Sequence, residues 1–319
     1  MSTTATPAGA AVAADEGIST RRRRRSDRAR AEARLGWMLA GPAFAVLVLV
    51  TGYPIVQALY DSLFRYRLTA PDEREFTGLG NYGVILGDPL WWQALGVTAL
   101  ITVVTVAVEL VIGFVFAFVM HRVLGLLRPV LRTAILIPYA IITVVSAFAW
   151  QFAFDLTAGF INTLPFVPDN FDWFANTWSA LLVICLSEIW KTTPFIALLL
   201  LAGLAQVSED MLEAARVDGA TFKERLFRVI IPNMKASIMV ALLFRALDAF
   251  RIFDNVFIMT NGAAGTQTVS FLAYSQTIGR LEIGLGSALS VLLFLCVIAI
   301  CFVAIKGFGV DLARARGES

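Results

Sequence analysis

The sequence predicts an all-α polytopic membrane protein of about six transmembrane helices, and three observations lead there. Of 319 residues, 58% are hydrophobic and 16% charged, an apolar excess that a soluble core cannot absorb. The apolar residues gather in runs of roughly 20 or more, the length needed to cross a bilayer. Lys and Arg concentrate in alternate loops between those runs, a bias that marks the cytoplasmic side.

Taken in order, residues 1–34 read as a disordered, basic cytoplasmic segment. Met1 to Thr20 has no apolar period, and Arg21 to Arg25, Arg28 and Arg30 then crowd together ahead of an apolar run. Such a cluster fixes topology and attracts anionic lipid headgroups, so no nucleic-acid role is assigned to it. The run from Leu35 to Tyr53 is too long for a cleaved signal peptide, and five more follow. A transmembrane domain over residues 35–308 is expected to hold spans at about 35–60, 94–120, 130–153, 178–205, 236–259 and 284–307, with a short tail at 309–319. Cys185, Cys296 and Cys301 fall inside apolar runs, where a thiol behaves as a small hydrophobe, so neither a disulfide nor a metal site is expected.

The loops set the orientation. Arg122, Arg128 and Arg132 lie between the second and third spans; Arg216, Lys223, Arg225, Arg228 and Lys235 lie between the fourth and fifth. Lys306, Arg314 and Arg316 close the chain, whereas Asp155 to Thr177 carries Asp155, Asp169 and Asp172 and no basic residue. Both termini are therefore expected in the cytoplasm of a multi-pass plasma-membrane protein. Trp91 and Trp92 read as interfacial anchors before the second span.

The segment at about 206–235 is unusually organised for a loop between spans. Ser208 with Glu209 and Asp210 offers a capped, acidic helix start, Leu212-Glu213-Ala214-Ala215 are good helix formers, and Gly219 is a natural stop. From Phe222 to Ile231 a second amphipathic stretch sets Phe222, Leu226, Val229 and Ile230 apart from Lys223, Glu224, Arg225 and Arg228. The expectation is a short helical pair at the cytoplasmic surface, with small Ala side chains that let another protein pack closely.

Glu213-Ala214-Ala215, then Gly219, and Val229, Ile231 and Pro232 after it resemble the EAA loop of binding-protein-dependent ABC importer permeases. Tyr53-Pro54, Phe76 to Tyr82, Ile137-Pro138, Trp190 to Phe195 and Phe253-Asp254-Asn255 extend the resemblance to the maltose- and glycerol-phosphate-type carbohydrate branch. Within that branch the chain is similar to the permeases of actinobacterial trehalose importers. Asn261-Gly262-Ala263-Ala264-Gly265 departs from the Thr-x-Gly-Gly-Pro usual in the family.

The resemblance implies the type I ABC importer permease fold and a subunit of an ATP-driven sugar importer, for a disaccharide such as trehalose. It implies as partners a second homologous permease, two ATP-binding subunits and an extracytoplasmic sugar-binding protein. By the same resemblance Glu213, Ala214, Ala215, Asp218 and Gly219 couple to the ATPase. No Gly-x-x-x-x-Gly-Lys-[Ser/Thr] phosphate loop occurs, so no cofactor is assigned to this chain, and ATP and Mg belong to the partner ATPase subunits.

Ionisable groups inside a bilayer are costly and face a cavity or one another. The candidates are Glu109, Glu188, Lys191, Arg245, Asp248, Arg251 and Asp254, with i, i+3 spacing suggesting the pairs Glu188–Lys191, Arg245–Asp248, Asp248–Arg251 and Arg251–Asp254. A sugar site needs hydroxyl-matching groups beside aromatic rings, which selects Gln151 beside Trp150, Trp190, Lys191, Thr192, Asp248 and Asn255 as substrate-path residues. Pro194 is expected to kink the fourth span. His121, the single histidine, sits at a cytoplasmic helix end and takes no catalytic role. An ion-gradient-driven transporter or channel is the alternative; a membrane-bound enzyme is disfavoured by the lack of any catalytic group set.

Overall fold

The structure, a computed structural model, describes residues 29–122, 127–168 and 170–307. The arginines at 21–25 and 28, Asp169, and the tail at 309–319 lie outside the described residues. The chain divides into two units after Ala58. The first includes most of α1 (Ala29–Asp61), in which the six residues Ala29 to Arg34, expected to be disordered, are helical because all are good helix formers. Pro54 has no N–H for the carbonyl one turn back, and α1 absorbs the defect as a π turn over Val48–Gly52.

The second unit begins with a small hairpin, β1 (Phe64–Arg65) against β2 (Glu75–Phe76), in which Phe64 faces Phe76. Arg74 pins it, lying 4.4 Å from the Phe64 ring centre and pairing with Asp61 at 2.7 Å. Arg67 pairs with Glu282 at 2.8 Å, so much of the mixed charge of this loop is satisfied internally. Then follow α2 (Gly80–Gly87), α3 (Pro89–Arg122), α4 (Leu127–Ala140), α5 (Thr143–Ala153), α6 (Thr177–Leu204), α7 (Glu209–Val217) and α8 (Phe222–Asn233). The chain closes with α9 (Lys235–Ala249), α10 (Asp254–Met259), α11 (Val269–Tyr274) and α12 (Ile283–Gly307).

Among the described residues α1, α3, α6 and α12 are each long and apolar enough to span a bilayer, and two bent helix pairs bring the number to as many as six. The predicted single span at 130–153 is a pair, α4 and α5, bent by 85°. Hydropathy cannot register this bend, because the apolar run passes straight through it. The β-branched run Ile141 to Val145 favours helix weakly, and Ile142 turns extended at φ −60°, ψ 135°. The predicted span at 236–259 is likewise interrupted, with α9 ending at Ala249 and α10 starting at Asp254. α6 runs through Pro194 as one continuous helix, and the break in the third span falls a few residues after Pro138. α11, continued by a π turn to Gly279, lies in a stretch assigned to no element by hydropathy, since its six residues are too short to register.

α3 and α6 pack along most of their length. Gly113 permits the approach: a Cβ there would lie 2.8 Å from Ile196 Cγ2 and 3.3 Å from the Ala197 nitrogen. Their shared core includes Ile101, Ile184, Ile196 and Leu200, all fully buried. The hydroxyls on α3 need no outside partner, since Thr98 donates to the Ala94 carbonyl at 2.7 Å and Thr102 to the Thr98 carbonyl at 2.8 Å. Thr98 also accepts the Val269 N–H at 3.0 Å, fixing the start of α11 against α3. Trp91 is buried in this packing instead of standing at an interface, while Trp92 is exposed and donates to the Leu86 carbonyl.

Candidate functional site

Two sites emerge, one in the bundle and one at the α7–α8 pair. Inside the bundle the elements converge on Arg245 of α9, which is fully buried. Its Nε and Nη2 donate to the two oxygens of Glu109 on α3, Nη2 also donates to Glu188 Oε1 on α6 at 2.9 Å, and Nη1 donates to Asp248 Oδ2 at 2.7 Å. Glu109 is fully buried too, and the Thr192 hydroxyl lies 2.7 Å from its Oε1. Asn255 on α10 donates Nδ2 to Glu188 Oε2 at 2.6 Å. One guanidinium thus joins α3, α6 and α9, with α10 tied on through Glu188, a task its planar fork suits and a lysine point charge does not.

Of the four i, i+3 pairs only Arg245–Asp248 forms. Glu188 turns to Arg245 and Asn255, because the guanidinium and amide offer it directed donors. Lys191 instead places its ammonium 5.5 Å from the Tyr139 ring centre. Asp248–Arg251 and Arg251–Asp254 fail because the helix has ended at Ala249 and helical spacing no longer applies. Buried Glu109, Glu188, Lys191 and Arg245, when ionised, sum to zero charge, leaving Asp248, whose side chain is 70% exposed, as the outward carboxylate.

The sequence-selected path residues divide by position. Trp190 is 41% exposed and Asp248 is open, while Lys191, Thr192 and Asn255 are buried. Gln151 is half-buried and donates to the Ile258 carbonyl at 3.0 Å, tying α5 to α10. Thr192 and Asn255 are engaged by the carboxylates. Trp150 stacks on Phe154 with 9° between planes and meets Trp190 at 6.1 Å, so it is as much a packing residue as an aromatic face. Tyr139, stacked on Phe195 at 5.5 Å beside Lys191, is an addition that the sequence did not single out. Asn255 Oδ1 is buried with no hydrogen-bond partner.

At the second site α7 ends as its sequence suggests. Gly219 sits at φ +76°, its N–H donates to the Arg216 carbonyl at 3.0 Å, and Ala220 N–H donates to Ala215 at 2.9 Å, a Schellman stop. Ser208 makes no side-chain cap, contrary to expectation; only its backbone carbonyl engages the helix, accepting the Leu212 N–H. The capping box lies one helix later, between Thr221 and Glu224, and its Thr-x-x-Glu signal was legible in the sequence. α7 has no buried residue, and Met211, Ala214 and Val217 line one exposed face beside Asp218, with Val217 87% exposed. Glu213 lines a cavity of about 330 Å³ with Phe118, Arg122, Glu209, Arg216 and Arg225, where the end of α3 meets the pair. His121 lines the same cavity. Among the described residues no cluster could hold a metal ion.

Residues 109–308 match the family described as the binding-protein-dependent transport system inner membrane component. The trehalose transport system permease protein SugA of Mycobacterium tuberculosis is 49% identical over 279 residues, covering 88% of this chain and 90% of that protein. The trehalose/maltose transport system permease protein MalF of Thermococcus litoralis is 35% identical over 283 residues, covering 86% and 94%. A solved bacterial ABC transporter involved in the import of alginate contains a chain that superposes with a TM-score of 0.75, over 89% of this chain and 99% of that one. At 15% identity that likeness speaks for the fold alone.

Proposed function

Because the chain belongs to the binding-protein-dependent transport system inner membrane component family, as a carbohydrate ABC importer permease of type I fold, we propose that it imports trehalose or a closely similar disaccharide. In this reading it forms the path with a second homologous permease and receives the sugar from an extracytoplasmic binding protein. Two partner subunits bind and hydrolyse ATP with Mg. Both termini face the cytoplasm, and reagent reaching a cysteine placed at exposed Asp172 only from the cytoplasmic side would overturn that orientation.

The observation that carries the coupling role is α7 itself. A helix with an apolar face of Met211, Ala214 and Val217 and no buried residue closes on a Schellman stop at Gly219 yet has nothing packed on that face. Such a face fits a groove on the ATP-binding partner, with Glu213, Ala214, Ala215, Asp218 and Gly219 as the coupling residues. Within the membrane a charged tip cannot face hydrocarbon cheaply, so exposed Asp248 favours a path or permease–permease face there. Trp190 and Asp248 are the groups offered to sugar hydroxyls and ring faces, and Gln151, Lys191, Thr192 and Asn255 stand behind them. Copurification with two ATP-binding subunits, followed by ATP hydrolysis stimulated by the loaded binding protein, tests the whole reading. A chain that copurifies with no ATP-binding subunit would refute it.

A further inference from the structure

Three elements meet at Arg245, and one of them, α9, is the direct continuation of α8. A single residue, Met234, separates Asn233 from Lys235, and the axis turns there by 70°. Arg245 lies ten residues beyond Lys235, about 15 Å along a helix rising about 1.5 Å per residue. α9 then ends four residues after Arg245, where the backbone leaves the helix before α10. α8 is held to α3 and α6 through Ile230, Leu226 and Phe222, the last with its ring 5.7 Å from Phe118. A displacement of the α7–α8 pair is therefore passed into α9, and the ionic joint is where α9 is fastened to the bundle.

We propose that Arg245 is the positioning residue of the translocation path: it holds the open carboxylate of Asp248 in register with Glu109 on α3 and Glu188 on α6, and passes movement of α9 to those helices and, through Glu188, to Asn255. The proposal rests on the transporter reading above. The chemistry is specific to a guanidinium. Arg245 reaches Glu109 with two donors, Glu188 with one of the same nitrogens, and Asp248 with the third nitrogen, so the open carboxylate is fixed relative to α3 and α6 as well as α9. A lysine at this position keeps the charge and lacks the fork. Because Asp248 is open while Arg245 and Glu109 are fully buried, the outer arm can be removed without exposing the inner pair.

The test uses the full complex, this chain with its second permease, ATP-binding subunits and binding protein, in proteoliposomes, with radiolabelled trehalose as probe. Arg245→Lys and Asp248→Asn are compared with wild type for trehalose moved per ATP hydrolysed and for the apparent KM of the loaded binding protein. Arg245→Lys is expected to assemble and hydrolyse ATP with an unchanged KM and to move about tenfold less sugar per ATP, the loss of roughly 1.4 kcal/mol of coupling. Asp248→Asn is expected to lower the same ratio less. A purely structural role would reduce the amount of complex and leave the ratio of the surviving complex alone. If Arg245→Lys fails to assemble, Asp248→Asn decides, because it leaves the buried pair intact. A wild-type ratio in every variant that assembles overturns the proposal. A wild-type complex that moves no trehalose with ATP overturns the transporter reading, and the proposal with it.

Discussion

Neutralising one member of the buried joint at a time should destabilise the protein strongly, and neutralising two together should cost much less than the sum. In Glu109→Gln the volume is kept but one carboxylate oxygen becomes an amide NH₂ facing a guanidinium N–H. One charge-assisted bond is lost, about 1.5–3 kcal/mol, and one buried donor is orphaned, about 1–3 kcal/mol. Arg245 keeps Glu188 and Asp248, which holds the total near the lower end of the range for breaking a buried ion pair, about 3 kcal/mol. Taking the roughly 2–4 °C per kcal/mol of a 150–250-residue domain as an upper bound for this larger one, Tm should fall by up to about 12 °C. Arg245→Gln should cost more, about 3–5 kcal/mol, since it strands Glu109 and Glu188 with only Lys191 to oppose them. The double variant leaves Glu188 and Lys191, again summing to zero, and its two amides can bond each other. A double-mutant cycle read by thermal unfolding of the detergent-solubilised protein should give a coupling of about 2 kcal/mol or more. A fall below about 2 °C for Glu109→Gln, or strict additivity in the cycle, would refute the idea of a single electrostatic joint.

Gly219 occupies a left-handed backbone with nothing within 4 Å of a built Cβ, so the penalty for a side chain there is conformational only. Gly219→Val should strain the α7 stop by about 1–2 kcal/mol and lower sugar-coupled ATP hydrolysis, whereas Gly219→Asn, which tolerates that conformation, should stay near wild type; equal activity of the two would contradict the assignment. Ala264 sits at φ +53°, and its carbonyl accepts the Thr177 hydroxyl at 2.6 Å. Ala264→Gly should therefore raise Tm, relieving about 1–2 kcal/mol of strain against roughly 0.4–1 kcal/mol of added chain entropy, and a lowered Tm would count against it. The N–H groups of Ala158 and Thr157, with the Thr157 hydroxyl, hold the Asp155 carboxyl below the usual aspartate range. The turn it closes gains stability that is fully present above the ordinary value of about 3.9 and is lost only as pH falls through the depressed one. Fluorescence of Trp173, which donates to Asn162 beside this turn, should hold steady from pH 7 to about 4 and change below it, and Asp155→Asn should abolish the change.

Composition and charge bias made the membrane-spanning helical class legible, because apolar length and Lys/Arg placement act locally along the chain. Pairings across the bundle were not legible. Glu109 and Arg245 stand 136 residues apart, and spacing rules see only neighbours, so Glu188 was matched to Lys191 when its partners lie on α9 and α10. The bends were missed for a related reason. Hydropathy sums over a window and is blind to direction, so α4–α5 with its 85° bend and α9–α10 with its break after Ala249 each read as one straight span. In the α7–α8 pair the sequence was read most closely, since a Gly stop is set by the residue that occupies it. Even there the capping box at Thr221 was passed over in favour of Ser208. Close contacts at Gly113 and Gly203 left no trace in any pattern, because nothing along the chain announces what will pack against a missing Cβ.

The central claim, that this chain is the permease of an ATP-driven sugar importer, is tested most directly by trehalose uptake into proteoliposomes holding the complete complex. Uptake is measured with enclosed or withheld ATP, and with proton and sodium gradients imposed or collapsed by ionophores. The account predicts uptake that requires ATP, Mg and the sugar-binding protein and is indifferent to ionophores. Uptake that runs on an imposed ion gradient without ATP, and stops when that gradient is collapsed, would contradict it.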